Sequence, residues 1–130
     1  NDNNLKPNVY SLNSSVELYS AIANDISFEN VFSYQLERFA KKDDLLVSIS
    51  SSGDSQNIIN SIESAKILGC KTIAMSGFTG GRSTLADIHI NIEANNYGIV
   101  EDCHHALLHI IAQFIRFDNY DPNQINSIIF

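Results

Sequence analysis

Leu45-Leu46-Val47-Ser48-Ile49-Ser50 is a short apolar run that breaks into Ser51-Ser52-Gly53-Asp54-Ser55, and a helical pattern follows at once. In that pattern Ile58, Ile59, Ile62, Ala65, Ile67 and Leu68 recur at helical spacing, and Gly69 supplies the stop. A strand feeding a helix through a hydroxyl-rich loop leaves few choices of fold. Strands that alternate with helices in this way form a parallel sheet covered by helices on both faces. The loop delivers hydroxyls and free backbone N–H groups to a helix N-terminus, which is how proteins commonly hold phosphate. One serine there would be an ordinary N-cap. Four serines in six positions point to an anion site, the plain alternative being a solvated turn.

The rest of the chain repeats the alternation. Val9 to Leu12 reads as a short strand, and a helix starts at Ser14 or Ser15 with Glu17 in its first turn. Asn24-Asp25 breaks it, and a second helix spans about Phe28 to Phe39. Lys71–Ser76 and Ile88–Ile92 read as strands, with a glycine-rich loop at Gly77–Gly81. A long helix runs from about Val100 to Phe117, and the tail ends in Ile128-Ile129-Phe130. This order predicts one α/β domain, a parallel sheet between helices. Both glycine-containing loops then lie beyond the carboxyl ends of strands, where such sheets bind ligands.

Composition narrows the partners. A net charge of −7 over 130 residues argues against nucleic acid or an anionic membrane as the main partner. No apolar run is long enough to cross a bilayer as a helix. Cys70 and Cys103 lack CxxC spacing and read as reduced thiols of a cytoplasmic protein. No Gly-Lys-Ser/Thr follows the serine loop and no Gly-x-Gly-x-x-Gly follows Ser50, so no nucleotide cofactor is expected. The chain starts at Asn1 and its only methionine is Met75, so it reads as processed, trimmed or a fragment.

A second constellation is Glu101, His104, His105 and His109. Positions 101, 105 and 109 rise over one another on a helix, a geometry open to acid–base work or metal ligation. It is equally open to a Glu101–His105 surface pair with His109 at a subunit contact. HExxH is absent, which removes zincin chemistry. Asp25, after Asn24, reads by itself as a turn residue.

Taken together these residues resemble the SIS (sugar isomerase) domain family, most closely its phosphoheptose isomerases. The likeness runs from about Ser11 to Arg116. It rests on Ala21-Ile22-Ala23-Asn24-Asp25, Glu29-Asn30-Val31-Phe32, Asp44 through Ser55, Ser76-Gly77-Phe78-Thr79-Gly80-Gly81, and Glu101 to His109. The resemblance implies a flavodoxin-like three-layer sandwich and interconversion of sedoheptulose 7-phosphate with D-glycero-D-manno-heptose 7-phosphate, for surface-polysaccharide precursors. It implies that Ser50, Ser51, Ser52 and Ser55 bind the phosphate, that Asp25 lies near the sugar, and that His109 is the acid–base partner. In some members the matching histidine holds zinc, with Glu101 as a second candidate ligand. Glu101 stands where these isomerases usually carry Gln, and Asn95 through Asp102 is more like a branch found among surface-sugar genes. The family's N-terminal helices, first strand and Gly-Asn-Gly-Gly-Ser loop, with a helix supplying a catalytic Glu, have no match here. The expectation is therefore the C-terminal portion of a larger chain, completed by a preceding segment or another chain and assembled as a homotetramer. The alternative is a non-catalytic phosphosugar-binding or protein-interaction SIS module.

Overall fold

A computed structural model describes residues 8–118. Helix α1 (Val16–Asp25) is capped by Ser15, whose Oγ accepts the Leu18 N–H at 3.3 Å. The second predicted helix is split. A 3-10 turn at Phe28–Asn30 precedes a shorter α2 (Ser33–Phe39). Strand β1 (Leu45–Ser50) leads into α3 (Gln56–Ile67), then β2 (Lys71–Gly77), a 3-10 turn at Gly81–Leu85, β3 (Ile88–Ile92) and α4 (Tyr97–Asp118). Gly69 closes α3 in the left-handed region, φ +79°, while the Cys70 N–H reaches back to the Ala65 carbonyl.

The three strands pair in parallel in the order β1-β2-β3, with Leu45 opposite Lys71 and Ile73 opposite Ile88. Parallel pairing follows from the helical crossovers. On one face Ala74 packs with Ile62 of α3 and Ala86. Leu46 joins that cluster to a second one built on Leu36, Ala65 and Cys70. On the other face Gly77 lies under α4, so close that a Cβ there would strike the Val100 side chain. Helix, sheet and helix form the three layers that the sequence predicts.

Val9–Leu12 is not a strand. It runs as irregular chain and turn, with the Leu12 carbonyl taking the amide of buried Gln35 at 3.0 Å. A strand needs a partner for its backbone groups, and no described strand pairs with this segment. Among the described residues β1 pairs on one edge only. Leu45, Val47 and Ile49, on its α4-side face, are 56%, 43% and 43% exposed. They line a groove of about 860 Å³ together with Val9, Phe39 and Leu108. The tail with Ile128-Ile129-Phe130 lies outside the described residues.

Candidate functional site

At the carboxyl end of β1 the chain turns sharply. The Gly53 N–H returns to the Ser50 carbonyl at 2.9 Å, and Gly53 takes φ +72°. Ser50 is buried, its hydroxyl 3.3 Å from that of Ser55. Ser55 occupies the N-cap of α3, yet its side chain makes no capping bond. No acceptor among the described residues takes the N–H groups of Ser52, Ser55, Gln56 or Asn57. Unpaired donors at the positive end of a helix, flanked by hydroxyls, form an anion cradle.

Ser51 behaves differently from its neighbours. Its hydroxyl donates to Glu101 Oε1 at 3.4 Å, and its carbonyl accepts the Gly77 N–H at 2.8 Å. The serine loop is thus tied to both β2 and α4. A carboxylate beside Ser51 repels an anion, so the cradle's favourable end is the Ser52–Ser55 side. Glu101 then borders the end where the uncharged part of a ligand would extend.

The glycine loop crosses the serine loop at backbone distance. A Cβ on Gly53 would strike the Gly80 carbonyl, and one on Gly81 would lie 2.7 Å from the Asp54 carboxylate. Arg82 donates from its backbone N–H to Asp54 Oδ1 at 3.0 Å and from Nη2 to the Asp54 carbonyl at 3.1 Å. Beneath the loop, Ser76 Oγ donates to Asn91 Oδ1 at 2.9 Å and lies 2.6 Å from His89 Nε2. Since Ser76 gives its proton to Asn91, it accepts from His89. Phe78 stands at φ +52°, its N–H on the Ala94 carbonyl, and packs on the exposed Tyr97 ring at 4.9 Å.

On α4 the four flagged residues separate. Glu101 faces Ser51, not His105. His104 is buried, 3.0 Å from the Ser76 carbonyl through Nε2; a carbonyl only accepts, so Nε2 carries the proton and Nδ1 is left without a partner. His109 is exposed, its Nε2 accepting from Gln113 at 3.4 Å. Asp25, at the end of α1, accepts from Asn24 at 2.8 Å and has no hydrogen bond or ion pair to the serine loop, Glu101 or His109. The structure therefore brings together Ser50, Ser51, Ser52, Ser55 and Glu101, and leaves Asp25 and His109 outside that network.

Zinc in proteins takes three or four protein ligands at about 2.0–2.3 Å. Glu101 and His109 are separated by about 12 Å of helix rise. No group of three or more His, Cys, Asp or Glu able to hold a metal occurs among the described residues. These residues alone do not complete a zinc site.

A family profile described as the SIS domain matches residues 4–77, more than half of the chain. The chain belongs to the SIS domain family. This SIS domain is 45% identical over 102 residues to a protein named probable phosphoheptose isomerase from Thermoplasma volcanium. That alignment covers 78% of this chain and 51% of the relative. With the phosphoheptose isomerase of Aliarcobacter butzleri it shares 41% identity over 97 residues, covering 74% and 51%. The chain spans about half the length of the curated relatives it matches. Among solved structures, the phosphoheptose isomerase of Neisseria gonorrhoeae superimposes with a TM-score of 0.80 at 29% identity, over 82% of this chain and 60% of that one. The Francisella tularensis enzyme gives 0.78 at 30% identity, over 80% and 56%.

Arg82, Ser83 and the Ser76–His89–Asn91 network did not stand out in the sequence. Their only local signal is Gly80-Gly81, which marks a close backbone approach without saying to what.

Proposed function

We propose that this SIS domain is the phosphate-anchoring part of an aldose–ketose isomerase acting on sedoheptulose 7-phosphate, in the making of surface-polysaccharide precursors. The observation that carries the reading is the cradle at the start of α3, where the hydroxyls of Ser52 and Ser55 flank unpaired N–H groups. The names of its relatives support a heptose phosphate as the ligand.

With the phosphate held there, the sugar extends past Ser51 and Glu101, whose carboxylate accepts hydrogen bonds from sugar hydroxyls. Anchoring one end restricts the carbonyl end to few poses, which is the entropic part of the catalysis. A base removes the proton from the carbon beside the carbonyl, the carbonyl oxygen gains a proton, and an enediol forms. Return of a proton to the former carbonyl carbon, with loss of the proton from the adjacent hydroxyl as it becomes the new carbonyl, gives the isomeric sugar. His109 is one acid–base partner; the other comes from polypeptide outside the described residues, as would the further donors for any zinc held by Glu101 and His109. Asp25 reaches the sugar only once its surroundings are completed. The open β1 edge and the bare Val47–Ile49 face are where that polypeptide completes the sheet. A homotetramer in the cytoplasm is the assembly this reading carries.

The test is a coupled assay on the full-length protein supplied with sedoheptulose 7-phosphate. Appearance of the heptose 7-phosphate is expected. Failure to isomerise any ketose phosphate would sink the enzymatic reading.

A further inference from the structure

Ser83 is fully buried in the 3-10 turn after the glycine loop, 0% exposed, and cannot touch a ligand. Both its donors go to one acceptor. Its backbone N–H reaches the Gly53 carbonyl at 2.9 Å and its hydroxyl reaches the same oxygen at 3.0 Å. The Gly53–Asp54 peptide is trans, so its carbonyl and its N–H point in opposite directions. With the carbonyl drawn toward Ser83, the Asp54 N–H is turned to the other side of the loop. There it meets Ser52 Oγ at 3.3 Å. Ser52 uses a lone pair in that bond and keeps its own O–H free to donate outward. Arg82 holds the next peptide, Asp54–Ser55, through the Asp54 carbonyl, and its backbone N–H donates to the Asp54 carboxylate.

We propose that Ser83 is a positioning residue for the anion cradle, acting through the Gly53–Asp54 peptide to set the Ser52 hydroxyl. This rests on the phosphate reading of the serine loop given above. A purely structural serine would support stability alone. A positioning serine makes the effect of Ser52 depend on its own presence.

A double-mutant cycle separates the two. Inorganic phosphate is titrated calorimetrically into the full-length protein, its Ser83→Ala and Ser52→Ala variants, and the double variant, with each unfolding midpoint measured alongside. Ser83→Ala is expected to weaken phosphate binding roughly five-fold, the loss of one oriented hydrogen bond. Ser52→Ala should weaken it by at least as much, and the double variant should bind within about two-fold of Ser52→Ala. Wild-type affinity in Ser83→Ala overturns the proposal, and so do losses that multiply in the double variant. In either case the phosphate reading stands, because the unmutated protein still binds. Absence of phosphate binding by the unmutated protein overturns that reading and this proposal together. Where Ser83→Ala yields no folded protein, Ser83→Cys, which keeps the backbone N–H bond to the Gly53 carbonyl and weakens only the side-chain one, replaces it in the same cycle, with the same criteria.

Discussion

Replacing Gly53 with alanine imposes two costs, and replacing Gly69 imposes only one of them. Both glycines occupy the left-handed region, at φ +72° and +79°. An alanine there costs about 1 kcal/mol from conformation alone. At Gly69 the new methyl lies 3.1 Å from Lys42 Cγ, the stem of a flexible side chain that can swing aside. At Gly53 it runs into the Gly80 carbonyl, with Gly81 N 3.1 Å away, and backbone cannot give way locally. The two loops must part, which breaks both Ser83 bonds to the Gly53 carbonyl. At a net ~1 kcal/mol for each bond, Gly53→Ala should cost about 2 kcal/mol more than Gly69→Ala. Urea unfolding of the two variants measures the difference, and phosphate titration reads the site. Gly53→Ala should abolish phosphate binding, whereas Gly69→Ala, at the opposite end of the sheet, should retain it. Equal destabilisation, or intact binding in Gly53→Ala, would refute the picture of two loops locked at a backbone crossing.

Asp87 accepts from Thr72 Oγ1 and the Thr72 N–H, both at 2.9 Å, and pairs with Lys66 at 3.4 Å. Those hydrogen bonds, chiefly from the Thr72 hydroxyl, hold its carboxyl below the usual aspartate range. A lowered folded value means the stabilisation is present above about pH 4 and fades as pH falls through that value. Asp87→Asn should therefore lower stability near neutrality and flatten the acid limb of a pH–stability curve; an unchanged acid limb would contradict this. Burial foremost, then Asp44 and Asp43, raises the Cys70 thiol, whose Sγ lies 3.3 Å from the Lys41 carbonyl. Iodoacetamide should label Cys70 slowly in the folded protein and quickly after unfolding, and equal rates would count against it. Glu101→Gln removes the carboxylate facing Ser51. Inorganic phosphate should bind roughly two- to three-fold tighter, with the gain shrinking as salt rises. Weaker binding would mean that Glu101 supports the anion end.

The parts of the fold legible in the sequence are those specified by local pattern. Leu45–Ser50 and the helix after it are marked by a short apolar run, a 3.6-residue period and a glycine stop. Val9–Leu12 carries strand-like residues, but a strand exists only with a partner, and none of the described strands pairs with it. The break between Asn30 and Ser33 has no signature in the sequence, because the apolar spacing of Val31, Phe32 and Leu36 continues through it. Within the site, the serines and Glu101 were legible as residue types at suggestive places. Their pairing was not, since Ser51 and Glu101 meet across the fold. The same holds for Ser83, whose bonds reach back to a glycine in another loop. His104 shows the converse. It stands beside Glu101, His105 and His109 in the sequence, yet the sheet beneath α4 buries it against the Ser76 carbonyl.

The proposed role of the serine loop as a phosphate anchor is tested directly by an amide-resolved NMR titration of the full-length protein with sedoheptulose 7-phosphate. Saturable shifts should concentrate at Ser50 through Asn57, and the Ser52→Ala/Ser55→Ala variant should lose them while remaining folded. Shifts centred elsewhere, or unchanged affinity in the double variant, would contradict the account.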